Sequence, residues 1–311
     1  MKHPLIKTFY TPRQALAQSG TENISWSPLK PRLLVEYLKK AGLAYCFETS
    51  GDFAPFTAAD FRLAHTAEYV DAFFAGQEPL ASSNGLRWTP ELADTVRYTN
   101  ASLYHAIRAA IDNPQQVTFS PTSGFHHARP TAGSGYCTFS GQVIASVKIF
   151  RQLAIAGAYL DLDGHFGNSI EDSRAFVPEL NLAIPFGANI NPVGTHGDYV
   201  ETFRQQLRAL REQIAAGQIR YVVFCHGADS HEADDLKGQC TTDEWLACSQ
   251  IFYGWVAKVE QSLGISLPVT ISLFGGYRHD AFDAVLSLHT ADLATCLKCL
   301  CGHDLGYRIQ L

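Results

Sequence analysis

The sequence has 311 residues, 46% of them hydrophobic, and a formal net charge of −6. A chain of this length and composition can bury a large core. Its Lys and Arg residues are dispersed, which excludes a nucleic-acid binder that works through a basic surface. No apolar run of 18 residues is present, so we expect no membrane span. The N-terminus has no apolar core of signal-peptide length, so we expect a cytoplasmic protein.

Short apolar runs alternate with amphipathic stretches along the chain. The first hundred residues are predicted to be mainly helical. Five buried strands are then predicted, at residues 116–120, 158–162, 180–184, 220–225 and 268–274. Helices are predicted at residues 139–157, 198–217 and 241–264, the last of them capped by Thr241 or Thr242. This alternation indicates an α/β fold: a single domain over residues 1–311, with an open, mostly parallel sheet and helices on both faces.

The eight cysteines are unevenly spaced and do not indicate a disulfide framework. Five of them are isolated and are expected to be reduced thiols. The tail CLKCLCGH brings Cys296, Cys299, Cys301 and His303 together with a spacing that suits thiolate zinc chemistry. The alternative is a helix end filled with small apolar side chains, and the sequence favours it without excluding the metal.

Polar clusters follow four of the predicted strands. In an open parallel sheet, ligand sites lie beyond the carboxyl ends of the strands. The clusters should therefore meet at one edge of the sheet. The side chains that they would bring together are His126, His127, Asp163, His165, Asp229 and Tyr277.

Asp163, His165 and Asp229 form a mixed nitrogen and oxygen set. Zinc accepts both kinds of ligand, and three protein ligands leave a position for water. Such a metal lowers the pKa of its water towards ~7, which yields a nucleophile at neutral pH. The alternative is that Asp163 and His165 are hydrogen-bonded turn residues. A third acid at another strand end and an adjacent histidine pair favour the metal.

The histidine pair and the tyrosine have complementary chemistry. His126 and His127, beside an activated water, can supply a base and then an acid for the leaving group. Each imidazole needs a partner that fixes its tautomer, and Asp161 and Asn168 are the candidates. The Tyr277 hydroxyl can donate to an oxyanion opposite the metal. An isolated HH or GGY motif would carry little weight.

Taken together, these motifs resemble the histone deacetylase and acetylpolyamine amidohydrolase family of the arginase/deacetylase fold, in its class II or bacterial branch. The matching segments are 27–32, 65–70, 124–137, 161–172, 227–236 and 274–277. The resemblance implies zinc at Asp163, His165 and Asp229, with iron(II) as an alternative. It also implies catalysis by His126, His127 and Tyr277, with Asp161 and Asn168 as the partners of the two histidines.

The resemblance implies further sites as well. Gly135 and Tyr136 match positions that line an acyl-lysine tunnel, and Leu236 matches a position at the tunnel rim. Gly275 and Gly276 are expected to let a substrate approach Tyr277 closely. A structural potassium ion is implied near residues 161–165. Asp234 matches a further acid behind Asp229.

Four positions depart from the family pattern. Ser27 stands where a histidine is usual, and Phe166 replaces the second histidine of the D-x-H-H block. Asn191 falls near the place of a second tunnel aromatic, and Phe274 replaces the residue that usually precedes GGY. None of these changes removes a predicted metal ligand, so the catalytic prediction stands.

The sequence therefore predicts a zinc-dependent amidohydrolase that removes an acyl group, in the first place acetyl, from an amine. The substrates considered are acetyl-lysine, an acetylpolyamine and a small acetylated metabolite, with no nucleic-acid or membrane partner. A dimanganese ureohydrolase of the same fold is one alternative, but it needs more acidic ligands than this sequence offers at its strand ends. A catalytically silent module that binds an acyl ligand is the other.

Overall fold

A sheet of seven strands forms the centre of the protein. The computed structural model describes residues 1–16, 26 and 28–311. The strands are β1 (Ile6–Phe9), β2 (Phe47–Ser50), β3 (Thr118–Ser120), β4 (Gly157–Asp161), β5 (Asn189–Ile190), β6 (Tyr221–His226) and β7 (Val269–Leu273). Their order is β2-β1-β3-β7-β6-β4-β5, and every neighbouring pair is parallel. The predicted α/β class with an open parallel sheet is confirmed.

Helices cover the sheet in two groups. They are α1 (Lys30–Lys40), α2 (Ala58–Phe61), α3 (Ala67–Ala75), α4 (Pro90–Asp112), α5 (Gly141–Leu153), α6 (Ser169–Ser173), α7 (Leu180–Ala183), α8 (Gly197–Ala215), α9 (Thr242–Leu263) and α10 (Phe282–Cys301). Helices α4, α5 and α7 pack together, and so do α1, α8, α9 and α10. The strands β4, β6 and β7 between them are buried along their whole length. Continuous burial explains their almost uninterrupted apolar sequences.

Helix α9 begins as its sequence predicts. The Thr241 hydroxyl accepts a hydrogen bond from the Glu244 amide, and the Glu244 carboxylate accepts one from the Thr241 amide at 2.9 Å. This reciprocal pair satisfies two amide donors that a helix start would otherwise leave free. Thr241 is therefore the cap, and the alternative, Thr242, is the first helical residue.

The strand predicted at residues 180–184 is wrong. That segment contains helix α7, in which Leu180 and Ala183 are buried while Leu182 is 61% exposed. A five-residue apolar run does not distinguish a strand from a buried helical turn. The edge strand that pairs with β4 on the side away from β6 is β5, which has only two residues and is partly polar.

The first hundred residues are less helical than predicted. They contribute β1 and β2 at one edge of the sheet, with β1 between β2 and β3. Each of these strands has four residues, and β2 is polar and partly exposed. A short strand at an exposed edge lacks the alternation or the apolar run by which sequence reveals a strand.

The C-terminal cysteines lie at the end of a helix. Helix α10 ends at Cys301, and Gly302 follows in the left-handed conformation typical of a helix C-terminus. In the described part of the chain, only Asp163, His165 and Asp229 form a group of three or more potential ligands close enough to share a metal. The structure thus favours the helix end over a metal at this tail.

Helix α10 is also notable for its apolar length. Among the residues that the structure describes, it is the one helix long and apolar enough to cross a membrane by those criteria alone. However, 78% of its most apolar stretch is buried inside the protein. A core helix meets the same criteria, and α10 packs on α1 and α9.

His65, in the segment between α2 and α3, connects two other segments of the chain. Its Nδ1 lies 2.9 Å from the Arg129 carbonyl oxygen, and its Nε2 accepts a hydrogen bond from the Ser140 amide at 2.9 Å. The imidazole must therefore be neutral, with its hydrogen on Nδ1. Burial lowers the pKa of His65 to about 4.

This burial predicts a loss of stability in mild acid. Below its ordinary pKa of about 6.5, the unfolded chain protonates His65, whereas the folded chain does so only near pH 4. Because the unfolded state binds more protons between these values, stability falls as the pH falls through this window. Between pH 7 and pH 5, His65 alone should cost about 2 kcal/mol of unfolding free energy. Urea unfolding of wild type and His65→Gln at both pH values measures how much of the change in unfolding free energy comes from His65. An unchanged pH slope in the variant would contradict the assignment.

Candidate metal centre and catalytic site

Three potential ligands meet beyond the ends of β4 and β6. Asp163 and His165 follow β4, and Asp229 lies on a short 3-10 turn after β6, the neighbour of β4. The Nδ1 atom of His165 lies 3.0 Å from Asp163 Oδ1 and 2.9 Å from Asp229 Oδ2. Together the three residues offer one ligand atom each within 4.8 Å of one another. The topology thus places the three predicted ligands at one point.

The charges at this point call for a cation. Asp163 and Asp229 are buried carboxylates. Burial and the charge of Asp163 raise the pKa of Asp229 to about 8. Hydrogen bonds to both carboxylates raise the pKa of His165 to about 10, although partial burial opposes this. Two buried carboxylates side by side must share a proton or hold positive charge between them, and the raised pKa of Asp229 expresses that need.

A divalent metal fits this donor set. One imidazole nitrogen carries at most one hydrogen, so Nδ1 of His165 cannot bond both carboxylates well, whereas a cation among them would contact all three. Tetrahedral zinc with ligand distances near 2.0 Å separates its ligand atoms by about 3.3 Å. The observed separations of 2.9 and 3.0 Å are close to that value. The metal assignment itself stays a prediction.

His126 and His127 lie beside the three ligands, each with a partner. Their rings are 4.0 Å apart. Nδ1 of His126 is 2.9 Å from Asp161 Oδ2, and Nδ1 of His127 is 2.8 Å from Asn168 Oδ1. Nε2 of His126 lies 3.7 Å from Asp163 Oδ1. The structure therefore places both predicted partners at hydrogen-bond distance.

Burial and the neighbouring charges separate the pKa values of the two histidines. Burial lowers the pKa of His126, but the carboxylates of Asp163 and Asp161 outweigh it and raise the pKa to about 9. Burial and the charge of His126 lower the pKa of His127 to about 4. A pair whose pKa values are driven apart offers one neutral and one charged imidazole at pH 7, as a base and an acid require.

Tyr277, like His127, lies beside His165. The rings of His127 and Tyr277 are 5.9 and 6.0 Å from that of His165, both edge to face. Burial and the charges of Asp163 and Asp229 raise the pKa of Tyr277 well above 10. The phenol therefore keeps its proton and remains a hydrogen-bond donor.

The turn that carries Tyr277 is fixed by the site itself. Gly275 donates its amide hydrogen to Asp163 Oδ2 at 2.7 Å, and Tyr277 donates its own to Asp234 Oδ2 at 2.7 Å. Asp234 also accepts from the Leu236 amide at 3.0 Å. Asp234 thus connects the turn over residues 275–277, called here the tyrosine turn, to the segment that carries Leu236.

Lys30 is a site residue that the sequence did not reveal. It begins α1, is fully buried, and donates to the carbonyl oxygen of Phe274. Burial lowers its pKa to about 8, opposed by the charges of Asp229 and Asp163. A lysine at a helix start normally lies in water. Only the contact of α1 with the backbone of Phe274 shows that Lys30 is buried near Asp163 and Asp229.

Two of the predicted substrate-contacting residues adjoin the catalytic side chains. Gly135 adjoins His127, since an added Cβ would lie 2.7 Å from its ring, and the Tyr136 ring is 5.9 Å from that of Tyr277. Leu236 is largely exposed. An added Cβ at Gly276 would lie 2.5 Å from Val285, so packing alone requires glycine there. Contact of these residues with a substrate stays a prediction.

The four departures have different environments. Asn191 is buried and accepts a hydrogen bond from the Gly167 amide at 2.8 Å, so its side chain supports the metal-ligand loop rather than an open passage. Phe166 is 59% exposed beside that loop. Phe274 packs its edge on the His126 ring at 5.0 Å. Ser27 lies outside the described residues.

A matched pair of glycine variants tests the metal centre. An added Cβ at Gly275 would lie 2.2 Å from the Asp229 carboxyl group. Gly275→Ala should therefore displace this ligand and weaken zinc binding by tenfold or more, on the order of 1.4 kcal/mol. Zinc titration of metal-free protein against a chromophoric chelator measures the change.

Gly254→Ala is the control, because nothing lies within 4 Å of a Cβ at this position in α9. That variant should bind zinc as wild type does and gain up to about 1 kcal/mol of stability. Wild-type zinc affinity in Gly275→Ala would show that Asp229 is not a ligand.

Comparison with known proteins agrees with this geometry. The model of the histone deacetylase domain family matches residues 26–183, half of the chain. The match includes both histidines and two of the three ligands, and it ends before Asp229 and Tyr277. An uncharacterized protein of Picosynechococcus sp. is 26% identical over 242 residues, which are 72% of this chain and 77% of that protein. On the family match and the fold together, this chain belongs to the histone deacetylase domain family.

Proposed function

We propose that this deacetylase-type hydrolase is a zinc-dependent amidohydrolase that removes an acyl group, acetyl in the first place, from an amine. One observation carries the proposal. Three metal-type ligands, two of them buried, lie beside a histidine pair in which each ring has its own hydrogen-bond partner, and beside a tyrosine that keeps its proton. Amide hydrolysis needs these three functions together.

Zinc held by Asp163, His165 and Asp229 would supply Lewis acidity and a water of lowered pKa. His127, neutral at pH 7, takes the proton of the attacking water. The Tyr277 hydroxyl donates a hydrogen bond to the carbonyl oxygen as negative charge develops there. The C–N bond then breaks, and a protonated histidine gives its proton to the leaving amine. His126, oriented by its hydrogen bond with Asp161, lies beside the place where that negative charge develops.

Acetyl-lysine, acetylpolyamines and small acetylated metabolites all suit this chemistry. The proposal includes Gly135, Tyr136 and Leu236 as the residues that contact the acyl-amine chain. It also includes a cytoplasmic location, a potassium ion near residues 161–165 as the resemblance implied, and no nucleic-acid or membrane partner. Iron(II) in place of zinc would leave the roles of the protein residues unchanged.

Metal counting and acetate release test the proposal together. Purified protein should hold about one transition metal per chain and release acetate from at least one member of a panel of acetylated amines and peptides. A chelator should abolish the release, and zinc should restore it, because the water needs the metal. Two manganese ions per chain with urea as product would indicate a ureohydrolase. Bound acyl-amine with no acetate released would indicate a silent binding module.

Tyr277→Phe tests the carbonyl-polarising role. Loss of one oxyanion donor typically costs a factor of about 10² to 10³ in kcat. Turnover should fall by that order while zinc content is unchanged, since the phenol is not a ligand. Tyr45→Phe is the control, because Tyr45 is exposed and belongs to none of the predicted site residues, so turnover should stay at the wild-type level. Equal turnover in Tyr277→Phe and wild type would show that this role is wrong.

A further inference from the structure

Two buried polar residues of α10 lie on the side of this helix that packs against the turns of the site. His289 and Asp292 are three residues apart, which places them on one side of the helix. Both are almost completely buried. Neither belongs to the catalytic set described above, and each connects to a different turn of the site.

Asp292 connects to the end of β6. Its Oδ1 accepts a hydrogen bond from the Ser249 hydroxyl at 2.6 Å, and its Oδ2 accepts one from the Tyr253 hydroxyl at 3.0 Å. Nδ1 of His226 lies 3.1 Å from the same Ser249 hydroxyl and 3.6 Å from Asp292 Oδ1. A buried carboxylate with this many partners holds them in place, because leaving any of them unpaired is costly.

His226 in turn adjoins the turn that carries Asp229. It is the last residue of β6, three positions before that ligand, and its ring stacks on Trp245 at 3.9 Å. The Trp245 indole nitrogen donates to the Gly227 carbonyl at 2.9 Å. The Ser230 hydroxyl donates to the same carbonyl at 2.9 Å. The turn over residues 227–230 is thus held from the side that faces α9 and α10.

His289 connects to the other turn. Its ring lies within hydrogen-bonding reach of the Gly275 backbone. The Gly275 carbonyl also accepts from the Ala228 amide at 2.9 Å, so the two turns meet at this residue. Gly276, next along the chain, lies against Val285 of α10. The tyrosine turn therefore rests on α10 directly.

We propose that α10 positions the site through two separate contacts. Asp292, acting through Ser249 and His226, fixes the turn of Asp229 and sets the metal affinity. His289 fixes Gly275 and so the place of the Tyr277 hydroxyl, and it sets turnover. Both are positioning residues. The metal half depends only on Asp229 being a ligand, whereas the turnover half rests on the proposed function.

The two contacts should separate in experiment. Groups that orient metal ligands typically contribute 10- to 100-fold to metal affinity. Asp292→Asn should therefore weaken zinc binding about tenfold, while turnover at saturating zinc stays within about threefold of wild type. Ser249→Ala should act in the same direction and serves if the first variant folds poorly.

His289→Leu should leave zinc affinity within about twofold of wild type and lower turnover about tenfold, since small displacements of a catalytic group are costly. His289→Asn should restore most of the turnover, because its amide can replace the ring Nδ1–H. Amide exchange provides a measure that needs no substrate. His289→Leu should speed exchange in residues 275–278, and Asp292→Asn should do so in residues 226–230.

Leu297→Ala, a buried core truncation on the same helix, is the control for general destabilisation. It should lower the melting temperature and change neither zinc affinity nor turnover. The inference is wrong if Asp292→Asn has the same zinc affinity as this control. It is also wrong if His289→Leu and Asp292→Asn each speed amide exchange equally in residues 275–278 and 226–230. Wild-type protein that binds zinc but hydrolyses no acetylated amine would instead contradict the proposed function. The zinc and exchange measurements would then still decide the present inference.

Discussion

The mutual repulsion of two buried carboxylates is the constraint on which the site depends. Asp163 and Asp229 come from adjacent parallel strands and meet beyond the strand ends, away from water. Two anions in such a place cost several kcal/mol each unless positive charge compensates them. The remaining residues are arranged around that requirement. His165 lies between the two acids, His126 lies beside Asp163, and Lys30 is buried beneath them.

The same constraint explains why the backbone approaches so closely here. The amide N–H of a glycine can donate to a carboxylate without bringing a side chain into the site, and Asp163 accepts such a hydrogen bond from Gly275. A side chain at Gly275 would occupy the space of Asp229, so this glycine is needed by the metal centre and not by the turn alone. The ligands and Tyr277 are thus coupled through backbone contacts.

Much of the fold and the site could be read from the sequence, and the failures share a cause. The buried central strands and the long helices α8 and α9 have strong patterns, because burial along their whole length, or along one face, repeats over many residues. The segment 180–184 and strands β1, β2 and β5 are too short for any period to appear. Asn191 falls near the place of a tunnel aromatic in the family pattern. In the structure it is a buried amide that accepts a hydrogen bond from the Gly167 amide.

By itself, the sequence determined which chemistry is present and where along the chain it lies. Alternation places Asp161, Asp163 and His165 together after a strand, and a parallel sheet brings strand ends to one edge. Only the tertiary structure decided which other residues support that chemistry. Lys30 stands at a helix start, where a lysine would be expected to face water. His289 and Asp292 stand on an apolar helix, whose sequence indicates burial but not which residues it packs against. Their burial depends on which faces of α1 and α10 pack against the site turns, and the local pattern of residues carries no information about that contact.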